Sequence, residues 1–265
     1  MQEPNEKDLL VDFERQNIPE PYKSYYTTKR HNLFATIQNF PNIWNCFMKL
    51  DEIMQREFEH TQRVLDTTLL FPMILYMNAH QKMRVALELG CSTCMTEAHS
   101  ILRDAIESAA HAHRLASEPQ LLKIWIQRKD DDAAMEAYKQ EFEAKKATRL
   151  FNGLPELHAM WKRFSDIGSH TNLDSMVHRF TMSNTETDAE YRLNYLGGEP
   201  NVYVPALFEI LLVFGLIEAM VFNSAAARLR LDPILGEMRA RFEAEKESTR
   251  QWVIKTCQLH PPSAS

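Results

Sequence analysis

A chain of 265 residues with 45% hydrophobic and 25% charged residues has the composition of a globular protein with a substantial core, one large domain or little more. Only seven glycines and no GxGxxG or GxxxxGK[ST] run speak against Rossmann and P-loop nucleotide folds. A formal charge of −6 argues against wholesale electrostatic capture of nucleic acid, so a nucleic-acid function has to rest on a local site.

The stretch from Met1 to Asp8 is polar and acidic, and no charged-then-apolar secretory pattern follows it, which sets the expectation of a cytoplasmic protein. Leu9, Leu10 and Phe13 suggest a first short helix, Pro19 and Pro21 break it, and Thr28 to Phe40 reads as another that Pro41 ends or restarts. These first fifty residues form an N-terminal helical extension. The bundle domain is expected over 51–258. Asp51 to about Glu88 is helical in pattern, with Pro72 placed to kink or divide it and Gly90 to stop it. From Ser92 or Thr93 to Ala116 the pattern is two-sided: Ile101, Leu102, Ala105, Ile106, Ala109 and Ala112 fall on one side, and His99, Arg103, Glu107, His111 and Arg114 on the other.

Glu118-Pro119 begins a short helix through Trp125, and the acids Asp130 to Asp132 cap one expected to reach Phe151, with Glu141 and Lys145 as an i, i+4 pair. Gly153 ends that helix, Pro155 sits in the first turn of the next, and Gly168 ends the next in turn. Between Val177 and Tyr195 the period shortens around Asn184-Thr-Glu-Thr-Asp188, which reads as a small β-hairpin-like excursion. Val202 to Phe222 is apolar enough to cross a bilayer, yet Glu209 and Glu218 fall on opposite sides of it, which favours a helix buried in a bundle and no membrane partner. Glu209 or Glu218 is then expected to meet an arginine or histidine. Asp232-Pro233 starts a final helix to about Cys257, and the tail 259–265 is expected to be disordered. The fold class is all-α, a bundle of six to nine helices.

Chemistry-bearing residues concentrate in Trp161-Lys-Arg163-Phe-Ser-Asp166-Ile-Gly-Ser-His170-Thr-Asn172. The spacing Arg163-x6-His170 resembles the HEPN superfamily of helical bundles, many of which are ribonucleases carrying Arg-x4–6-His, and the runs Leu102-Arg103-Asp-Ala-Ile-Glu107 and Gly168-Ser-His170-Thr-Asn172 are similar to those of uncharacterised bacterial helical proteins, over residues 70 to 230 as pattern. The resemblance implies metal-independent RNA cleavage in a homo-oligomer without a cofactor. His170 would be general base or acid, Arg163 would stabilise the transition-state charge, and Asp166 or Asn172 would orient them. Arg103, Glu107, His111 and Glu209 are candidates for a supporting polar network. The competing readings stay open: a solvated stripe with Arg103–Glu107 pairing, a histidine that merely satisfies a helix end, and a non-catalytic interaction or scaffold protein.

Metal binding has little in its favour. Glu57-x-x-His60 is the one Glu-x-x-His pair, where a di-metal bundle wants two. Cys91-Ser-Thr-Cys94 is a lone CxxC at a helix start, where the dipole would lower a thiol pKa, but it has no second pair to complete a zinc site. With Cys46 and Cys257 these are expected to be free, structural thiols.

Overall fold

The computed structural model describes residues 17–61, 66–146, 149–168, 180–184, 189–193, 200–225, 228 and 232–257. Among these residues the fold is an all-α bundle of nine helices. In chain order they are α1 (Glu20–Asn39), α2 (Pro41–Thr61), α3 (Leu70–Cys91), α4 (Met95–Ser117), α5 (Leu122–Gln127), α6 (Asp132–Phe142), α7 (Pro155–Gly168), α8 (Pro200–Ala225) and α9 (Ile234–Thr256). Phe180–Asn184 (β1) pairs antiparallel with Ala189–Leu193 (β2), Met182 opposite Tyr191. The expected helix around Leu9 to Phe13 and the tail after 258 lie outside the described residues.

Prolines set the starts of helices more often than the sequence pattern suggests. Pro19 is the N-cap of α1 and Pro21 lies in its first turn, where the missing N–H is unused anyway. Pro41 begins α2, and residue 50 is therefore in mid-helix, with Ile43, Cys46, Phe47 and Leu50 inside the same core as the rest. Pro72 does not kink a long helix. It sits in the first turn of α3, after a 3₁₀ turn at Thr67–Leu69 that the Asp66 side chain caps by accepting from the Thr68 N–H at 3.0 Å.

The helix expected to reach Phe151 stops at Phe142. Its start is as read, because Asp131 is extended and its carboxylate accepts from the Ala134 N–H at 2.7 Å. Its end is set from outside: the Arg149 guanidinium folds back onto the carbonyls of Lys139 and Gln140, which occupies groups that a continuing helix would bond internally. Glu141 consequently meets Arg114 rather than Lys145.

Helix α4 is central, packed by α3, α7 and α8, and α8 also meets α2, α3, α7 and α9. Gly90 does not stop α3, which runs on through Cys91. Its role is spatial, since a Cβ there would lie 2.6 Å from the Ile210 end methyl and 3.3 Å from Leu207, and those side chains of α8 would have to shift. The Tyr203 hydroxyl of α8 donates to the Gly90 carbonyl at 2.8 Å and accepts from Thr36 of α1, tying three helices together at the carbonyl end of α3. Helix α8 is long and apolar enough to span a membrane by composition, and about two-thirds of its apolar window is buried within the bundle. Its two carboxylates each meet an arginine, Glu209 with Arg163 and Glu218 with Arg239.

Candidate functional site

The polar side of α4 is not a solvated stripe. His99, His111 and Arg114 are buried, and Arg103 and Glu107 are half-buried, because α7 and the segment around α6 cover this side while α3 covers the other. The Arg103 guanidinium donates to Ser165 Oγ at 2.9 Å, lies 5.3 Å from the centre of the Trp161 ring, and stands 3.7 Å from Glu107. The Glu107 carboxylate accepts from the Trp161 indole N–H at 3.3 Å. Ser165 passes its own proton to the Trp161 carbonyl. Arg103 and Glu107 thus clasp one face of α7.

One turn further along α4, His111 Nδ1 faces the Glu107 carbonyl at 2.9 Å, and a carbonyl only accepts, so Nδ1 carries the proton. Nε2 is then the acceptor for the Tyr138 hydroxyl, also at 2.9 Å. Burial holds the imidazole below its ordinary pKa, which agrees with this neutral tautomer. The ring stacks with Phe142 at 5.3 Å and lies nearly parallel to Tyr138. Arg114 completes the row with one N–H to the Arg149 carbonyl at 2.6 Å and another to Glu141 at 3.0 Å.

Of the residues assigned to RNA chemistry, Arg163 and Asp166 lie on the exposed side of α7, and His170 and Asn172 fall outside the described residues. Arg163 exposes 61% of its side chain and donates to Glu209 of α8, whose carboxylate is mostly buried. Burial raises the Glu209 pKa and Arg163 opposes that rise. The expected network of Arg103, Glu107, His111 and Glu209 is therefore divided by α7. Arg103 and Glu107 hold its Trp161–Ser165 face, and Glu209 holds Arg163.

Two polar clusters escaped the sequence reading. Glu57 of α2 and Glu218 of α8 are both buried and each acts on the other's ionisation, with Tyr76 donating to Glu57 at 2.8 Å and Arg239 standing 3.0 Å from Glu218. Two carboxylates repel, and a proton on one of them removes the repulsion. Burial and Glu218 push Glu57 far above the ordinary carboxylate range, and burial raises Glu218 too, with Arg239 opposing that rise. The signal was present in the spacing: Ile43, Cys46, Phe47, Leu50, Ile53, Met54 and Glu57 continue one inward stripe. The second cluster is Asp51, which accepts from His80 Nε2 and twice from Arg84, each at 2.7 Å. Burial works against its ionisation, but the bonds from His80, Arg84 and Gln55 outweigh it and hold the carboxyl well below its usual pKa. Asp51, Arg84 and Glu88 border a cleft of about 270 Å³ under α1, otherwise lined by apolar side chains such as Leu33, Ile37 and Trp44.

Among the described residues no three His, Cys, Asp or Glu side chains are grouped to hold a metal ion. Cys46, Cys91, Cys94 and Cys257 are free and buried. The helix-start argument for Cys91 is corrected, since it lies at the C-terminal end of α3 and burial pushes its thiol up to about 12. No protein-family model, curated protein or solved structure matches the chain.

Proposed function

We propose that this chain is a non-catalytic helical interaction protein. The observation that supports the reading is the fate of the polar row on α4, where Arg103, Glu107, His111 and Arg114 all end on other groups of the bundle. A general acid or base needs an open position for the substrate, and a neutral histidine bonded at both ring nitrogens offers none. Leu70, Ile74 and Met77 each leave about half of the residue exposed along one face of α3, an apolar strip suited to a protein partner or a second copy in a cytoplasmic homo-oligomer.

A second reading, metal-independent RNA cleavage at a HEPN-like site, is favoured by the exposure of Arg163 at the end of α7 that leads to His170. The two readings separate in one experiment. Purified protein is incubated with single-stranded RNA, with and without chelator. The interaction reading expects intact RNA. Cleavage that survives the chelator and is lost in Arg163→Ala and His170→Ala, with thermal unfolding unchanged, would establish the ribonuclease instead.

A further inference from the structure

Helix α1 is built unlike the rest of the molecule. The chain carries 36 acidic residues in 265, about four for any thirty-residue stretch, yet residues 21–50 contain no aspartate or glutamate while holding Lys23, Lys29, Arg30 and Lys49. Lys29 of this stretch meets Glu88 and Lys49 meets Glu245, so the cations on the outer sector of α1 are Lys23 and Arg30.

The inner and outer sides of α1 differ in what they do. Leu33, Thr36 and Ile37 face the bundle, Asn32 bonds Thr93, and Lys29 meets Glu88. Tyr22, Tyr26, Arg30 and Phe34 recur every fourth residue and so form one ridge that drifts about 40° per step. All four are exposed, Tyr22 by 61%, Tyr26 by 49% and Phe34 by 51%. The Arg30 guanidinium stands 5.6 Å from the centre of the Phe34 ring, and Lys23 falls on the same sector of the helix. The ridge is about 18 Å long, the span of about five stacked nucleotides.

We propose that the outer ridge of α1 is a binding surface for single-stranded nucleic acid. The aromatic rings supply sequence-tolerant stacking platforms, and Lys23 and Arg30 meet phosphates. A protein partner would also value tyrosine and arginine. The absence of carboxylates over thirty residues of an otherwise acidic chain is the feature that selects a polyanion. The surface lies on α1, apart from Arg163, so the inference names a partner for the interaction reading and requires no catalysis.

The test is fluorescence anisotropy of a labelled oligouridylate with the full chain, followed by a denaturing gel of the same samples. Binding is expected to weaken steeply between about 50 and 200 mM salt. Tyr22→Ala and Arg30→Glu should each weaken it at least about fivefold, Tyr22→Phe should retain it because the ring is kept, and Arg163→Ala should leave it unchanged. No binding at low salt, or binding indifferent to Tyr22→Ala and Arg30→Glu, overturns the proposal. So does self-association in light scattering that Tyr22→Ala abolishes while no oligouridylate binds, since that assigns the ridge to a second copy. Bound but cleaved oligonucleotide would overturn the non-catalytic reading and leave this inference standing.

Discussion

The row from Arg103 to Arg114 on α4 and the Glu57–Glu218 contact between α2 and α8 handle buried polarity in opposite ways. Along α4, cations meet carboxylates or carbonyls, and His111 is neutral with both nitrogens bonded. Between α2 and α8, two buried carboxyls act on one another, and burial with their mutual repulsion favours a proton on Glu57, with Tyr76 and Arg239 beside them. In the first arrangement His111 contributes stability that is present above the ordinary imidazole pKa and is lost as pH falls below it. The second makes stability depend on keeping one proton, which is a physical difference that denaturation can read.

The largest expected effect comes from removing the cation at the carboxyl pair. Arg239→Ala leaves a buried negative charge on Glu218 without its partner and should cost about 3–5 kcal/mol in urea unfolding at pH 7. A loss below about 1 kcal/mol would mean that both carboxyls are protonated and the contact is not an ionic one.

Glu57→Gln should sharpen the contrast through its pH dependence. The folded-state pKa of Glu57 is raised from 4.5 to about 9, so its contribution is fully present below about pH 4.5 and is lost as pH rises through the folded value. Wild-type stability is expected to fall from pH 6 to 8 by at most about 1.4 kcal/mol per unit from this group. The glutamine variant should show a flatter curve over that range and greater stability at pH 8. Equal slopes in the two proteins would remove the Glu57 proton from the account.

Arg114→Ala should lower stability by about 2 kcal/mol, because the Arg149 carbonyl loses its partner and with it the turn that ends α6. The effect should not change between pH 6 and 8. The smallest expected effect is that of Arg163→Ala, under about 1 kcal/mol, since an exposed arginine is screened by solvent even where it pairs with Glu209. A loss as large as that of Arg114→Ala would place Arg163 in the structural row.

The all-α class, the central apolar helix with an arginine against a carboxylate, and the starts at Asp131 and Asp232 were legible because they follow from periodicity and capping chemistry. The end of α6 was not, since Arg149 sets it by reaching back over nine and ten residues, beyond any local rule. Periodicity also sorted α4 correctly into two sides but could not say that the polar side would be covered by α7. Glu57 was hidden by its own chemistry. A glutamate on an apolar stripe reads as a boundary residue, and only burial with the arrival of Glu218 from 161 positions away makes it a protonated group in the core. A two-residue spacing such as Arg163-x6-His170 holds little information, because with the three spacings x4 to x6 allowed about two matches arise by chance in a chain with these numbers of arginine and histidine.

The central claim is that the polar residues of α4 hold the bundle together and perform no chemistry, and urea unfolding of His111→Ala tests it most directly. The account predicts a loss of about 2–3 kcal/mol, from the empty ring site against Phe142 and the unpaired Tyr138 hydroxyl. Stability that is unchanged or raised, together with an RNA-cleaving activity that the wild type has and the variant lacks, would contradict it, because that is how a residue held for catalysis at the expense of stability behaves.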